Sequence, residues 1–396
     1  MTTPYSQNTP TSAFAVDFLI EKAKERAEAT VEEMSAFIEP LEILAHALDT
    51  EARLSPVGRV AVSNALITSL ITQVKLSRNI LGNPKINEVP LEQPVFIIGM
   101  LRTGSTLVHN LLAQHSDLRV PNLWELMYPA DMVMTSTAQE ELANRAQSYV
   151  DEYFRVAPQL KVIHFLDARQ PDECHRLLGN TFQSMVYEMR YRIPSYSRWL
   201  DERDLTQAYA YHQLQLKNIL WRIPGKVVIL KCPFHAWFLD ALVRAYPTAR
   251  FIHLHRNPTS IVLSTCSLCT TIRAGRSNDI DPTEIGTQWL AQIERGVTRM
   301  QEARRTYLSK MPVLDIRYND LMSDTLGTMQ QICHFIGVPI TEQAREKMEF
   351  YLEQNKQNKH GTHRYTAEEF GLNLHDLDTR FADYRKQYEL YPASSK

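Results

Sequence analysis

Residues 99–106 read GMLRTGST: a glycine, four residues, a second glycine, then the hydroxyl side chains of Ser105 and Thr106. The spacing is that of a loop that cradles phosphate, with one change. A nucleoside-triphosphate site carries a lysine directly after the second glycine, to reach the β- and γ-phosphates. Here Ser105 takes that place, and the cation is Arg102, two residues before Gly104. A second anion trap is readable in ARFIHLHRNPTSIVLSTCSL, where Arg256 ends an apolar run, Pro258 opens a helix, and Ser264 lies eight residues after the arginine. A guanidinium and a hydroxyl beside a helix N-terminus suit a phosphate monoester. Lys231 ends another apolar run, VVILK, and supplies a third cation. Two separate monoanion-sized traps suit a donor with two anionic ends better than a triphosphate.

Such traps need strands that feed turns into helix N-termini, where backbone N–H groups and the helix dipole converge on an anion. The sequence supplies them. Short buried-type strands at 94–99, 226–231, 250–255 and 312–316 precede helical stretches at 105–115, 235–245, 259–270 and 323–336. That alternation predicts an α/β fold, a P-loop-like parallel sheet flanked by helices. Residues 1–90 form an N-terminal helical region with Pro40 and Pro56 as breaks, and the linker GNPKINEVPLEQP leads into the α/β domain, 91–396. Within it, 122–222 reads as a helical insertion on the acceptor side. Its Trp124, Tyr128, Phe165, Phe182, Tyr187, Tyr191 and Trp199 are candidates for an apolar pocket.

The 396 residues, 44% hydrophobic and 22% charged with a formal charge of -2, exclude a global attraction to nucleic acid or an acidic membrane. Any anion site must therefore be a local cluster. The polar start and the lack of an 18-residue apolar span predict a cytoplasmic protein with no membrane span. Five scattered cysteines, including the pair Cys266 and Cys269, fit reduced thiols, and no second ligand pair suggests zinc.

PVFIIGMLRTGSTLVHNLLAQH resembles the 5′-phosphosulfate loop of sulfotransferases that use 3′-phosphoadenosine 5′-phosphosulfate, in a bacterial-type branch with an RTGST loop. The resemblance extends in matching order over 94–118, 226–270, 312–338 and 355–375. It implies a 5′-phosphosulfate site of Arg102, Thr103, Gly104, Ser105 and Thr106, with Arg256 and Ser264 at the 3′-phosphate. The family's Tyr-x-Asp-Leu matches Tyr318 and places it beside the adenine. NKHGTHRYTAEEFGL resembles a closing loop that brings Gly361, His363, Arg364 and Tyr365 to the donor. The implied reaction moves a sulfuryl group to a hydroxyl or amine of a small-molecule, lipid or sugar acceptor, leaving 3′,5′-bisphosphoadenosine and needing no metal.

The family places a lysine where Lys231 stands, followed in cytosolic members by a histidine two residues later. This chain has Pro233 there. Three residues compete to be the general base: Glu173 in RQPDECHRL, ranked first on its resemblance to an acidic segment near the acceptor, then His235, then His175. Arg102 stays protonated and acts electrostatically. A P-loop small-molecule kinase and a non-catalytic nucleotide-binding scaffold are the alternative readings. Acceptor identity and oligomeric state stay open.

Overall fold

The computed structural model describes residues 12–132, 134–355 and 365–390. At its centre lies a sheet of five parallel strands, β1 (Val95–Gly99), β2 (Leu118–Arg119), β3 (Val227–Lys231), β4 (Arg250–His255) and β5 (Val313–Arg317), in the order β2-β3-β1-β4-β5. All five residues of β1 are buried. Its side chains alternate: Val95 and Ile97 pack on one face with Val108, Leu111, Ile332 and Met348, while Phe96 and Ile98 face the larger cluster. Burial on both faces explains why these strands read as continuous apolar runs. Each such side chain removed from water contributes roughly 1.5–3 kcal/mol.

The four anticipated strands agree with the structure to within a residue or two at each end. β2 was missed: at two residues on the sheet edge it carries too little pattern to announce itself. The expected helix 235–245 is two elements, a 3-10 turn Pro233–Trp237 and a helix Leu239–Ala245. Pro40 and Pro56 fall beside the anticipated breaks: they sit in the first turns of helices Ile38–Thr50, which follows the 3-10 turn Glu32–Phe37, and Pro56–Gly82, which follows the interruption at 51–55, and no intrahelical N–H is required there. Ser55 caps the second of these, accepting from the Gly58 N–H at 3.1 Å. That same helix, 27 residues with a mean hydropathy of 1.2 in its most apolar window, is long and apolar enough by composition to cross a membrane; half of the window is buried inside the fold. Leu41, Leu44, Leu66 and Leu70 from these N-terminal helices join the cluster that contains Phe96, Tyr246 and Phe251. Between 122 and 222 the chain is largely helical, with Ser136–Val156 and Thr206–Arg222 the longest pieces.

The strand order turns at β1, which has β3 on one side and β4 on the other, although β2 is the strand that follows it in the chain. Open parallel sheets bind ligands outside their carboxyl ends at such a reversal. Gly99, Lys231 and His255 end the three central strands, so the turns that follow share one crevice. Gly99 makes the approach possible: its φ is +136°, and a Cβ there would lie 2.5 Å from the Leu254 carbonyl oxygen on β4. Gly99→Ala is expected to cost about 2 kcal/mol or more through backbone strain and separation of β1 from β4. Equilibrium urea unfolding measures it, and an unchanged midpoint would contradict the close approach.

Candidate active site

The turn after β1 is built on left-handed backbone. Arg102 has φ +63° and Gly104 +89°, and a Cβ on Gly104 would sit 3.0 Å from Leu321 Cδ2 and 3.2 Å from Tyr318 Cδ2. Gly104 then caps the helix Ser105–Leu112. Among the described residues no protein acceptor takes the N–H groups of Gly104, Ser105 or Thr106, so they are open to an anion. Thr103 departs from its expected role as a donor to the ligand: its buried hydroxyl turns inward and donates to the Met100 carbonyl at 3.0 Å, bracing the turn.

Gly99 of β1 pairs with Leu254 of β4, and two residues beyond Leu254 the Arg256 Nη1 donates to the Arg102 carbonyl at 2.7 Å. The turn that begins at 99 and the guanidinium at 256 therefore share one site. Arg256 also stacks over the Tyr318 ring, 4.2 Å from its centroid. Ser264 meets Arg102 in this structure, accepting from its Nε at 3.1 Å, while Arg102 Nη1 donates to the Ile163 carbonyl at 3.0 Å. No carboxylate lies within 4.0 Å of either guanidinium among the described residues. Burial lowers the Arg102 pKa and the Arg256 charge adds to this, against an opposing effect of Tyr365. Two neighbouring guanidinium groups without a carboxylate make a site that an anion stabilises.

Lys231, at the end of β3, is buried and donates to Glu173 Oε1 at 2.7 Å and to Thr106 Oγ1 at 3.4 Å. Glu173 Oε2 lies 3.1 Å from His175 Nδ1. Burial alone would raise the Glu173 pKa, but Lys231 and His175 outweigh it and hold the carboxyl well below its usual range. Burial lowers His175, which leaves a neutral imidazole whose Nε2 has no hydrogen-bond partner in the structure. His235, ranked second among the candidate bases, is removed by the geometry. It is fully buried, with Nδ1 at 2.8 Å from the Tyr209 hydroxyl and Nε2 at 3.1 Å from Cys174 Sγ. It packs beneath the sheet against Phe96 and takes no part in the cleft.

The cleft has a volume of about 250 Å³ and brings together Arg102, Gly104, Ser105, Thr106, Glu173, His175, Arg256 and Tyr318. Tyr365 is half-buried and near enough to Arg102 to influence it electrostatically; Gly361, His363 and Arg364 lie outside the described residues. None of the seven aromatics anticipated as pocket lining reaches this cleft. Tyr128, Tyr187 and Tyr191 line a second cavity of about 360 Å³ that shares Tyr149, His175 and Arg190 with the first. The residues missed in the sequence are Tyr149, Tyr153, His164, Arg176 and Arg190. The i,i+4 spacing of Tyr149 and Tyr153 does place them on one face of helix Ser136–Val156. Nothing local marks the others. Cys266 and Cys269 are buried in helix Pro258–Ala274, and burial pushes both thiols up.

Residues 94–342, more than half of the chain, match the profile of the Sulfotransferase family. The chain is 24% identical over 300 residues to the omega-hydroxy-beta-dihydromenaquinone-9 sulfotransferase Stf3 of Mycobacterium bovis, covering 73% of this chain and 74% of that one. It resembles the crystal structure of sulfotransferase STF1 from Mycobacterium tuberculosis, with TM-score 0.80, 27% identity, and coverage of 94% of this chain and 99% of that one. Sulfotransferase STF9 from Mycobacterium avium shares the fold, with TM-score 0.82, 24% identity, and coverage of 95% and 97%. The paired guanidinium groups and the lysine-less glycine turn thus stand in a chain that belongs to the sulfotransferase family and is an enzyme of sulfuryl transfer.

Proposed function

We propose that this sulfotransferase takes its sulfuryl group from 3′-phosphoadenosine 5′-phosphosulfate and delivers it to the hydroxyl of an acceptor with an apolar body. The observation that carries the donor assignment is the 2.7 Å hydrogen bond from Arg256 to the Arg102 carbonyl, which sets two carboxylate-free guanidinium groups side by side. The 5′-phosphosulfate would lie on the N–H groups of Gly104, Ser105 and Thr106 with Arg102 beside it, and the 3′-phosphate on Arg256. Ser264 spends a lone pair on Arg102, so its O–H is still available to that phosphate. Tyr318, under Arg256, is a stacking surface for the adenine end. A hydroxyl acceptor is supported by the name of the Mycobacterium bovis relative, whose substrate is an omega-hydroxylated menaquinone.

In the reaction, the acceptor oxygen forms a bond to sulfur while the bond from sulfur to the bridging oxygen breaks, and that electron pair leaves on the 5′-phosphate. The acceptor proton passes to Glu173. Arg102 and the turn's N–H groups meet the charge that builds on the leaving oxygen. Lys231 holds Glu173 and, through Thr106, ties it to the first turn of the anion-binding helix. His175 fixes the other carboxylate oxygen.

Arg102→Ala is expected to lower kcat on the order of a hundredfold with the fold intact; a loss of less than about threefold would contradict the role. Glu173→Gln is expected to lower kcat by roughly a hundredfold or more. Because Glu173 is held below 4.5, the wild-type kcat/KM should show its acid limb beneath that pH, and a limb near 6.5 would point to an imidazole instead. Turnover should also survive EDTA, since protein cations carry the charge that magnesium serves in a triphosphate site, and loss on chelation would count against the donor.

A further inference from the structure

The cations of the cleft fall into two groups. At the carboxyl end of the sheet Lys231 is matched by Glu173, and Arg102 and Arg256 await the donor. At the other end Tyr149 is surrounded by Arg176, Arg190 and Arg276. Arg176 is matched by Asp172, Nε to Oδ2 2.5 Å. Arg190 and Arg276 have no carboxylate within 4.0 Å among the described residues, and the nearby Asp279 and Glu284 are already engaged by Arg53 and Arg192. Burial would push the Tyr149 phenol up, yet the three guanidinium charges outweigh it and bring it down to about 8. Tyr149, Arg176 and Arg190 lie where the cleft adjoins the second cavity, whose lining includes neither Arg102 nor Arg256. The two cationic groups therefore sit toward different ends of the cleft.

The same cleft is lined by the apolar side chains of Leu166, Val186, Met189, Phe234, Leu268 and Ile272. Arg190 borders this cleft and makes no hydrogen bond to protein among the described residues, so its planar fork is free to take a carboxylate through two parallel bonds.

We propose that the acceptor is a hydroxylated carboxylic acid, its hydroxyl beside Glu173, its apolar body along the Val186, Met189 and Leu268 wall, and its carboxylate on Arg190. This rests on the sulfuryl-transfer reading above and adds the substrate class to it. A free cation at the end of an apolar cleft raises affinity for an acid over the equivalent neutral molecule, because the alternative is an uncompensated charge in a partly desolvated site.

The test is equilibrium binding of 12-hydroxydodecanoate and of dodecane-1,12-diol to the full chain, with 3′,5′-bisphosphoadenosine titrated separately. The wild-type protein is expected to bind the acid about tenfold or more tightly than the diol. Arg190→Ala should bring that ratio close to one, and Arg190→Lys should recover part of it. Equal affinity for the two probes in the wild type, which needs no variant to fold, would overturn the inference, as would a ratio that survives in Arg190→Ala. Preference for the acid without binding of 3′,5′-bisphosphoadenosine would keep the acid site and overturn the donor assignment; the reverse result would keep the donor and overturn the acid site.

Discussion

The pairing of β1 with β4 is the constraint on which the site depends. Because Gly99 lies against Leu254 without a side chain between them, the turn after β1 and the turn after β4 leave the sheet together. That register brings the Arg256 side chain within reach of the Arg102 carbonyl, to which it donates. The consequence is electrostatic. Two guanidinium groups that would each be unremarkable on a surface become, when adjacent and half-buried, a place where a doubly anionic ligand is stabilised and an uncharged one is not. The left-handed backbone at Arg102 and Gly104 belongs to the same device, since it turns the first N–H groups of helix Ser105–Leu112 toward the same point.

The other side of β1 brings a buried ion pair to the crevice. β3 ends on Lys231, and its ion pair with Glu173 draws the segment after the second strand over the crevice. A carboxylate this buried would be neutral without its partner. Lys231 and His175 hold its pKa well below the usual carboxylate range, and in the proposed role of base its contribution is position more than proton affinity. Three neighbouring strands thus contribute one cation each, and the order β3-β1-β4 sets the Lys231–Glu173 pair next to the two guanidinium groups.

What the sequence disclosed, and what it hid, follows from the range of the interactions. Residues 94–106 and 250–264 could be read because strand, turn and cap are local, with Gly104 and Pro258 marking each helix start. Lys231 could be read for the same reason. His235 misled because one strand-end histidine looks like another in sequence; only the fold reveals that Tyr209 and Cys174 occupy both its nitrogens. Thr103 likewise sits in the right motif, and its rotamer takes it to Met100. The second charged group, Tyr149 with Arg176, Arg190 and Arg276, was invisible because its members come from four segments of the chain and meet only in the tertiary structure. The aromatics of the insertion were read together as pocket because hydrophobicity does not distinguish a wall from a core; Phe182 is fully buried, whereas Tyr128, Tyr187 and Tyr191 line the second cavity.

The most direct measurement is a ligand and mutant cycle: affinities of 3′,5′-bisphosphoadenosine and of adenosine 5′-monophosphate for the wild-type protein and for Arg256→Ala. If one donor spans both traps, the substitution weakens 3′,5′-bisphosphoadenosine by about tenfold or more and leaves the monophosphate, which has no 3′-phosphate, nearly unaffected. Equal loss for both ligands, or no loss for either, would contradict the assignment of Arg256 to the 3′-phosphate and with it the paired-trap site.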